Sequence, residues 1–238
     1  SEDGGGEEKR QESKAKLLIE IARQTELFHN AEGQCFAAVP VKDHTETFAV
    51  KSTGFKHWLA GQFWEKYEQS IHPPAIAEAL LTIEAIAKYK GETIETYRRI
   101  AERGGVIYLD LCDADWQQVE ITRQGWQIIK NSTVRFTRAN GMLPLPAPRR
   151  GGTLEDLRAC LNLEGAEHYS QWVLLASWLI ATFRPNAPFP LLALHGEQGS
   201  GKSTASRMLR SLVDPNSCPL RSAPKDERDL MIAATNAW

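Results

Sequence analysis

A glycine-rich loop followed by lysine and serine sets the local fold of the segments on either side of it. The loop reads Gly196-Glu-Gln-Gly-Ser-Gly-Lys-Ser203 and has the spacing of a phosphate-binding loop, which joins a strand to a helix. Its surroundings predict the same two elements. The apolar run 191–194 has the length of a buried strand, and residues 202–213 carry apolar side chains at helical spacing. Asp214 and Pro215 then predict the end of that helix.

The residue types of this loop suit phosphate binding. Glycines at 196, 199 and 201 let the backbone curl so that successive N–H groups point inward, and the helix N-terminus adds partial positive charge. Lys202 is the predicted catalytic residue, expected to contact the β- and γ-phosphates, and the Ser203 hydroxyl is expected to bind Mg²⁺. The predicted ligands are ATP and Mg²⁺. The predicted nucleotide-binding residues are Gly196, Glu197, Gln198, Gly199, Ser200, Gly201, Lys202, Ser203 and Thr204.

The sequence after Lys202 contains no apolar strand that ends in an acidic residue. Nucleotide hydrolases with this loop use such a strand, the Walker B strand, to hold Mg²⁺. The similar run 106–111 lies far upstream in hairpin-like sequence, and it favours an ordinary strand with Asp110 facing solvent. We therefore expect the chain to hold the first part of an ATPase core and to hydrolyse ATP negligibly by itself.

Composition and charge bound the class of protein. With 42% hydrophobic and 24% charged residues, the chain of 238 residues is typical of a globular protein with one or two domains. A formal net charge of −2 gives no overall electrostatic reason to bind nucleic acid or an anionic membrane. The four cysteines are widely spaced, which predicts neither a zinc site nor a disulfide framework: Cys35, Cys112, Cys160 and Cys218.

No segment predicts secretion or a membrane span. The first ten residues are polar and charged, unlike a signal peptide. The most apolar stretch, 172–183, is shorter than the roughly 20 residues that a spanning helix needs, so we expect a buried helix there. Together with the free cysteines, these features predict a cytoplasmic protein.

Changes in pattern along the chain predict four regions. Residues 1–14 are charged and glycine-rich, as in a disordered segment or linker, and residues 15–140 alternate between helical and strand patterns. The second part of this region, 94–138, predicts a β-meander with strands at 106–111, 118–122, 126–130 and 134–138, and the segment 96–101, which fits a strand or a helix, is interpreted as a further strand. Residues 141–152 form a segment rich in proline and glycine, and residues 153–238 contain the loop. The predicted fold is thus an α+β accessory domain, a crossing segment, and the N-terminal part of an α/β P-loop NTPase core of the RecA or AAA+ kind, truncated before Walker B.

A basic patch is the weakest of the predicted features. Arg135 and Arg138 alternate with apolar residues on one predicted strand, and Arg149 and Arg150 lie in the crossing segment. These four arginines are candidate contacts to DNA phosphates, and a solvated charged face explains the same pattern.

Several segments resemble the helicase-like P-loop ATPase region of bacterial primase-helicase proteins from prophages and integrative elements. They are Arg150–Arg158, Trp178–Pro185, the loop itself and Leu220–Leu230, with weaker likeness at Phe28-His29 and Gly141–Pro146. The resemblance implies a ring-forming ATPase that acts on DNA while the element replicates, with the fold of hexameric P-loop helicases. In that family the segment like Asn236-Ala-Trp238 leads into the acidic strand, so the family's metal carboxylate, sensor and arginine-finger residues are assigned to no position here.

Three functions therefore stay open from the sequence. The first is part of a DNA-dependent ATPase, a replicative helicase of a phage or mobile element that forms a homo-oligomeric ring. The second is a P-loop kinase or signalling NTPase, although no acceptor pocket or lid is evident. The third is an interaction module whose nucleotide site orders the fold without hydrolysis.

Overall fold

A computed structural model describes residues 13–185, 190–221, 225–229 and 231. The chain forms two compact units, Ser1–Glu95 and Thr96–Trp238. Of the segment predicted to be a linker, residues 1–12 lie outside the described residues. No helix in the described ranges is long and apolar enough to cross a membrane.

The first unit packs three helices against a small antiparallel sheet whose strand order is β1–β2–β3. Its elements are α1 (Lys14–Ala22), β1 (Glu26–His29), β2 (Cys35–Val41), β3 (His44–Ala49), α2 (Thr53–Tyr67) and α3 (Pro73–Tyr89). The predicted hairpin and the predicted helices are confirmed. Apolar side chains from every helix and from β2 meet in one core, in which Leu18, Phe55 and Ile83 are fully buried.

The strand β1 was not predicted, because four residues are too few to show an alternating pattern. Its register on β2 places Phe28 opposite Phe36, and the two rings stack with centroids 5.5 Å apart. The chain returns beside β1 after α3, where the Ile94 N–H donates to His29 O at 2.9 Å. Gly91 makes this return possible. A Cβ there would lie 2.5 Å from Leu27 O and 2.9 Å from Phe28 Cα.

Two glycine-to-alanine substitutions should therefore act in opposite directions. Gly91→Ala should lower the free energy of unfolding by about 1–3 kcal/mol, because the new methyl group forces β1 and α3 apart. Gly61→Ala should raise it by about 0.5–1 kcal/mol, because Gly61 lies inside α2 with no atom within 4 Å of an added Cβ. Urea denaturation measures both. A neutral Gly91→Ala variant would contradict the close approach.

The second unit contains six strands and three longer helices among its described residues. They are β4 (Thr96–Tyr97), β5 (Ile100–Arg103), β6 (Val106–Asp110), β7 (Gln118–Thr122), β8 (Gly125–Ile129), β9 (Arg135–Phe136), α4 (Leu154–Cys160), α5 (Tyr169–Ala181) and α6 (Lys202–Val213), with a 3₁₀ turn at Ala166–His168. Strands β5 to β8 form an antiparallel meander in sequence order, as predicted. The predicted fourth meander strand, 134–138, is instead the two-residue β9, which pairs in parallel with β4.

A buried arginine ties the meander to the end of α6. Arg99 is fully buried and donates from Nε and Nη2 to Asp214 Oδ1, at 3.2 and 3.0 Å. Arg99 also donates to two backbone carbonyls, to Asp110 O from Nη1 and to Leu143 O from Nη2, each at 3.1 Å. One side chain therefore joins a meander strand, the segment after β9 and the residue that follows α6.

The boundary between the units accordingly differs from the predicted one. The sequence predicts that residues 141–152 separate an accessory domain from the loop region, but the first part of this segment is hydrogen-bonded to other segments of the second unit. The Leu143 N–H donates to Pro215 O at 2.9 Å, and the Leu145 N–H donates to Leu111 O at 2.8 Å. Leu145 is buried with Leu111 and Val119. Proline and glycine here mark an ordered irregular segment, and the meander belongs with the loop region.

Two predicted apolar elements near the loop also differ. Residues 190–197 form no strand, because a strand needs a hydrogen-bonded neighbour and no described segment pairs with them; Leu191 is 97% exposed. The predicted buried helix is α5, but only Trp172 and Leu175 are buried, while Leu174 is 71% exposed. The predicted helix at 202–213 is confirmed as α6.

The Arg99–Asp214 pair gives a stability prediction. Arg99→Met should lower the free energy of unfolding by about 3–5 kcal/mol, because it leaves the Asp214 carboxylate buried without its main partner. The double variant Arg99→Met/Asp214→Leu should lose less than the single variant, since no uncompensated carboxylate remains. Denaturant titrations of both variants test this. A double variant that is no more stable than Arg99→Met would contradict the ion-pair account.

Candidate phosphate-binding site

The loop between residues 196 and 201 curls around the side chain of the lysine that follows it. Gly199 and Gly201 have φ of 85° and 79°, in the left-handed region that favours glycine. A Cβ on Gly196 would lie 2.7 Å from Ser200 Oγ, so a side chain there would collide with the loop. The backbone conformation therefore favours glycine at 199 and 201, and an added side chain at 196 would have to displace the Ser200 hydroxyl.

The Lys202 ammonium lies inside the curl. It donates to Gly196 O at 2.8 Å, to Glu197 O at 2.6 Å and to Ser200 Oγ at 3.2 Å. Gly201 is the N-cap of α6 and offers no side-chain cap, so the first N–H groups of the helix have no partner within it. A positive charge and unsatisfied donors therefore meet at one exposed surface. This donor set fits a phosphate group.

The predicted metal ligand lies beside this surface. Ser203 and Thr204 form the first turn of α6 and are exposed. The described residues contain no group of three His, Cys, Asp or Glu side chains placed to hold a metal ion. A hydroxyl such as that of Ser203 can supply one Mg²⁺ ligand when phosphate oxygens and water supply the others. The donors here thus suit a metal ion that arrives with a nucleotide.

A cleft of about 920 Å³ runs along α6 from the loop towards the far end of the helix. The helix lines it with Lys202, Ser203, Ser206 and Arg210, and the opposite wall is mostly apolar: Trp178, Leu191, Leu192, Leu194 and Leu220. Trp178 Nε1 donates to Pro190 O at 3.0 Å, which fixes the indole at the rim. The cleft is large enough for a ligand of nucleotide size.

Asp110 occupies a different environment from the expected one. The sequence pattern favours a strand residue that faces solvent, but the Asp110 side chain is fully buried. Arg138 donates to both of its carboxylate oxygens, from Nε at 3.0 Å and from Nη2 at 2.8 Å. The Cys112 N–H donates to Asp110 Oδ1 at 3.0 Å. With its oxygens engaged, Asp110 holds the meander together and is not available as a carboxylate ligand of a metal.

The four candidate DNA-contacting arginines are also separated by the structure. Arg138 is engaged by Asp110, and its guanidinium lies 3.8 Å from the centre of the Trp116 ring, so it does not lie on an open charged face. Arg135 Nη1 donates to Ser132 O at 2.9 Å. Arg149 and Arg150 are exposed, and Arg150 lies 5.5 Å from the centre of the Trp126 ring. Only this last pair retains the expected surface position.

Cys112 is the one cysteine close to the buried charges, and its environment argues against a nucleophilic role. Burial raises the pKa of its thiol, and the neighbouring Asp110 carboxylate raises the pKa further, against the opposing effect of Arg138. A raised pKa keeps the thiol protonated at neutral pH, whereas nucleophilic cysteines need a lowered pKa.

Sequence reasoning missed the residues at the far end of α6. Asp214 accepts a hydrogen bond at Oδ2 from Arg210 Nη2, 3.1 Å away, and at Oδ1 from Arg99. The only sequence signal at Asp214 was its place before proline, which predicts a helix end and nothing about an ionic partner. The sequence also makes Asp226 a suitable N-cap for a last helix carrying Leu230, Met231 and Ala234. In the structure Asp226 Oδ1 accepts a hydrogen bond from the Asp229 N–H at 2.8 Å. Two residues expected on that helix, Leu230 and Ala234, lie outside the described residues.

The C-terminal third of the chain is similar to a known family. Residues 155–238 match the family model of the actinomycete integrative conjugative element replication protein. The match covers α5, the loop and α6, and it supports a role in the replication of a mobile element. No curated protein matches the chain.

Proposed function

We propose that the second unit binds ATP through the loop at residues 196–204, and that the protein uses this nucleotide in replicating a mobile genetic element. The observation that carries the proposal is the Lys202 ammonium, which lies inside a glycine-bounded curl at the N-terminus of α6. An anion there would meet a fixed positive charge and free N–H donors together. The similarity of residues 155–238 to replication proteins of conjugative elements supports the biological setting.

The roles of the loop residues follow from their positions. Lys202 would exchange its hydrogen bonds to the loop carbonyls for hydrogen bonds to phosphate oxygens, and backbone N–H groups of residues 199–204 would donate to the other phosphate oxygens. Ser203 would provide the protein ligand to Mg²⁺. Magnesium, when bound with the nucleotide, neutralises phosphate charge. The apolar wall of the cleft would exclude water from one side of the ligand.

Hydrolysis would depend on a group that activates water. The acidic residue that lines the cleft, Asp214, is buried between two arginines and cannot serve as a base while they hold it. For this reason the described residues favour binding over rapid turnover, and a nucleotide-binding module without hydrolysis is the second candidate. In the helicase interpretation, a DNA-dependent ATPase assembled as a ring would complete the site with further groups.

Removing the lysine should weaken nucleotide binding. Lys202→Ala should raise the dissociation constant of a fluorescent ATP analogue, measured with Mg²⁺, about tenfold or more, because a charge-assisted hydrogen bond to phosphate is lost. Arg207→Ala is the matched control, since Arg207 is an exposed cation on the same helix and should bind like the wild type. Equal affinity of the wild type and Lys202→Ala would exclude the site.

The DNA-binding part of the proposal rests on Arg149 and Arg150. The wild type should bind single-stranded DNA with an affinity that falls steeply with salt and depends little on sequence. The double variant Arg149→Gln/Arg150→Gln should reduce the slope of log affinity against log salt by about 2, close to one unit for each phosphate contact.

Fluorescence anisotropy at several salt concentrations measures this slope. The control is Arg23→Gln/Lys56→Gln, which removes two exposed charges from the first unit and should leave the slope unchanged. An equal loss of slope in both double variants would indicate a general charge effect. No change in the first would remove these arginines from any DNA-binding surface.

A further inference from the structure

The helix that carries the phosphate loop is held at its other end by buried charge. Helix α6 has 12 residues and is therefore about 18 Å long. Lys202 begins it, and Asp214 directly follows its last residue. Because a hydrogen-bonded helix moves as one body, a displacement at the loop must be accommodated where Asp214 is anchored.

Asp214 is anchored on both carboxylate oxygens. Arg99 binds Oδ1, and Arg210, from the last turn of α6, binds Oδ2 at 3.1 Å. The Arg99 and Asp214 side chains are 0% and 3% exposed, so water cannot substitute for either partner when they separate. The pair therefore favours a small number of discrete arrangements over continuous sliding.

On the side of the meander, Arg99 contacts Asp110, which directly precedes loop 111–117, and this loop has an unfavourable backbone conformation. Arg99 donates to the backbone of Asp110, whose side chain holds both Arg138 and the N–H of Cys112. Within this loop Cys112 and Trp116 have φ of 55° and 53°, which side chains other than glycine rarely adopt. Such a loop keeps its conformation only while its surroundings hold it, so it can respond to changes in those surroundings.

Backbone hydrogen bonds form a second connection between the end of α6 and the rest of the unit. The segment after α6 lies against the segment after β9, where the Leu143 N–H donates to Pro215 O at 2.9 Å and the Ser217 N–H donates to Gly141 O at 2.8 Å. Gly141 has φ of 88°, and a Cβ there would lie 2.9 Å from Ser217 Oγ. These two backbone hydrogen bonds restrict independent movement of the two segments.

We propose that the meander regulates the phosphate loop through the buried Arg99–Asp214 pair, so that nucleotide binding and the conformation of loop 111–117 are energetically coupled. This inference rests on the proposed nucleotide site. By linkage the coupling is reciprocal. A nucleotide at the loop stabilises the conformation of residues 111–117, and a partner that stabilises the meander raises the affinity for nucleotide. The meander thereby acts as a regulatory element of the site.

Hydrogen–deuterium exchange with and without a non-hydrolysable ATP analogue and Mg²⁺ tests the coupling. In the wild type, saturating analogue should slow exchange of amides in 111–117 by about fivefold or more, in addition to amides of the phosphate loop. Arg99→Lys keeps the charge and lies outside the cleft, so it should still bind analogue at the loop. It should lose most of the slowing at 111–117, because an ammonium does not fix the angle between α6 and the meander strand. Arg207→Gln, at an exposed position of the same helix, should keep the slowing.

The outcomes separate the two proposals. Absence of analogue binding to the wild type would overturn the nucleotide site and this coupling with it. Analogue binding that slows exchange at the loop but not at 111–117 would overturn the coupling alone. A folded Arg99→Lys variant that binds analogue and keeps the full wild-type response would also overturn it, and the wild-type comparison provides the test if Arg99→Lys does not fold.

Discussion

The architecture of the second unit depends on one guanidinium taken out of water. Arg99 loses its hydration entirely, and only a full set of acceptors offsets that cost. Asp214 supplies the negative charge, and the carbonyls of Asp110 and Leu143 supply two further acceptors. Because these groups come from three separate segments, the arginine is satisfied only when all three are in place. The meander, the segment after β9 and α6 therefore form one unit.

This interaction also explains which parts of the fold could be predicted from sequence. Helix α6 and strands β6, β7 and β8 follow from local patterns of apolar residues, and their observed bounds lie close to the predicted ones. Nothing local distinguishes Arg99 from its neighbour Arg98, and the partner of Arg99 lies 115 residues away. The local pattern likewise predicts that Asp110 faces solvent. It is buried because Arg138, 28 residues further along the chain, pairs with its carboxylate.

The glycine-rich loop at residues 196–201 shows the opposite case. Its geometry depends on glycines and a lysine within a few residues of one another, so the pattern in the sequence is sufficient to describe it. The predicted strand before the loop is not local in this sense. An apolar run becomes a strand only when another segment offers hydrogen bonds, and residues 190–197 find no such partner among the described residues. The ATP and Mg²⁺ assignments remain predictions that rest on the loop alone.

The choice of arginine at position 99 bears on how the two ends of α6 are related. A guanidinium presents donors in fixed directions, and here Nε and Nη2 converge on a single carboxylate oxygen while Nη1 reaches the backbone of a strand. An ammonium could neutralise Asp214, but its rotatable donors would not fix the angle between the helix and the strand. The residue type therefore specifies an orientation as well as a charge. An orientation fixed at the C-terminal end of α6 also fixes where its N-terminus, and hence the Lys202 loop, lies relative to the meander.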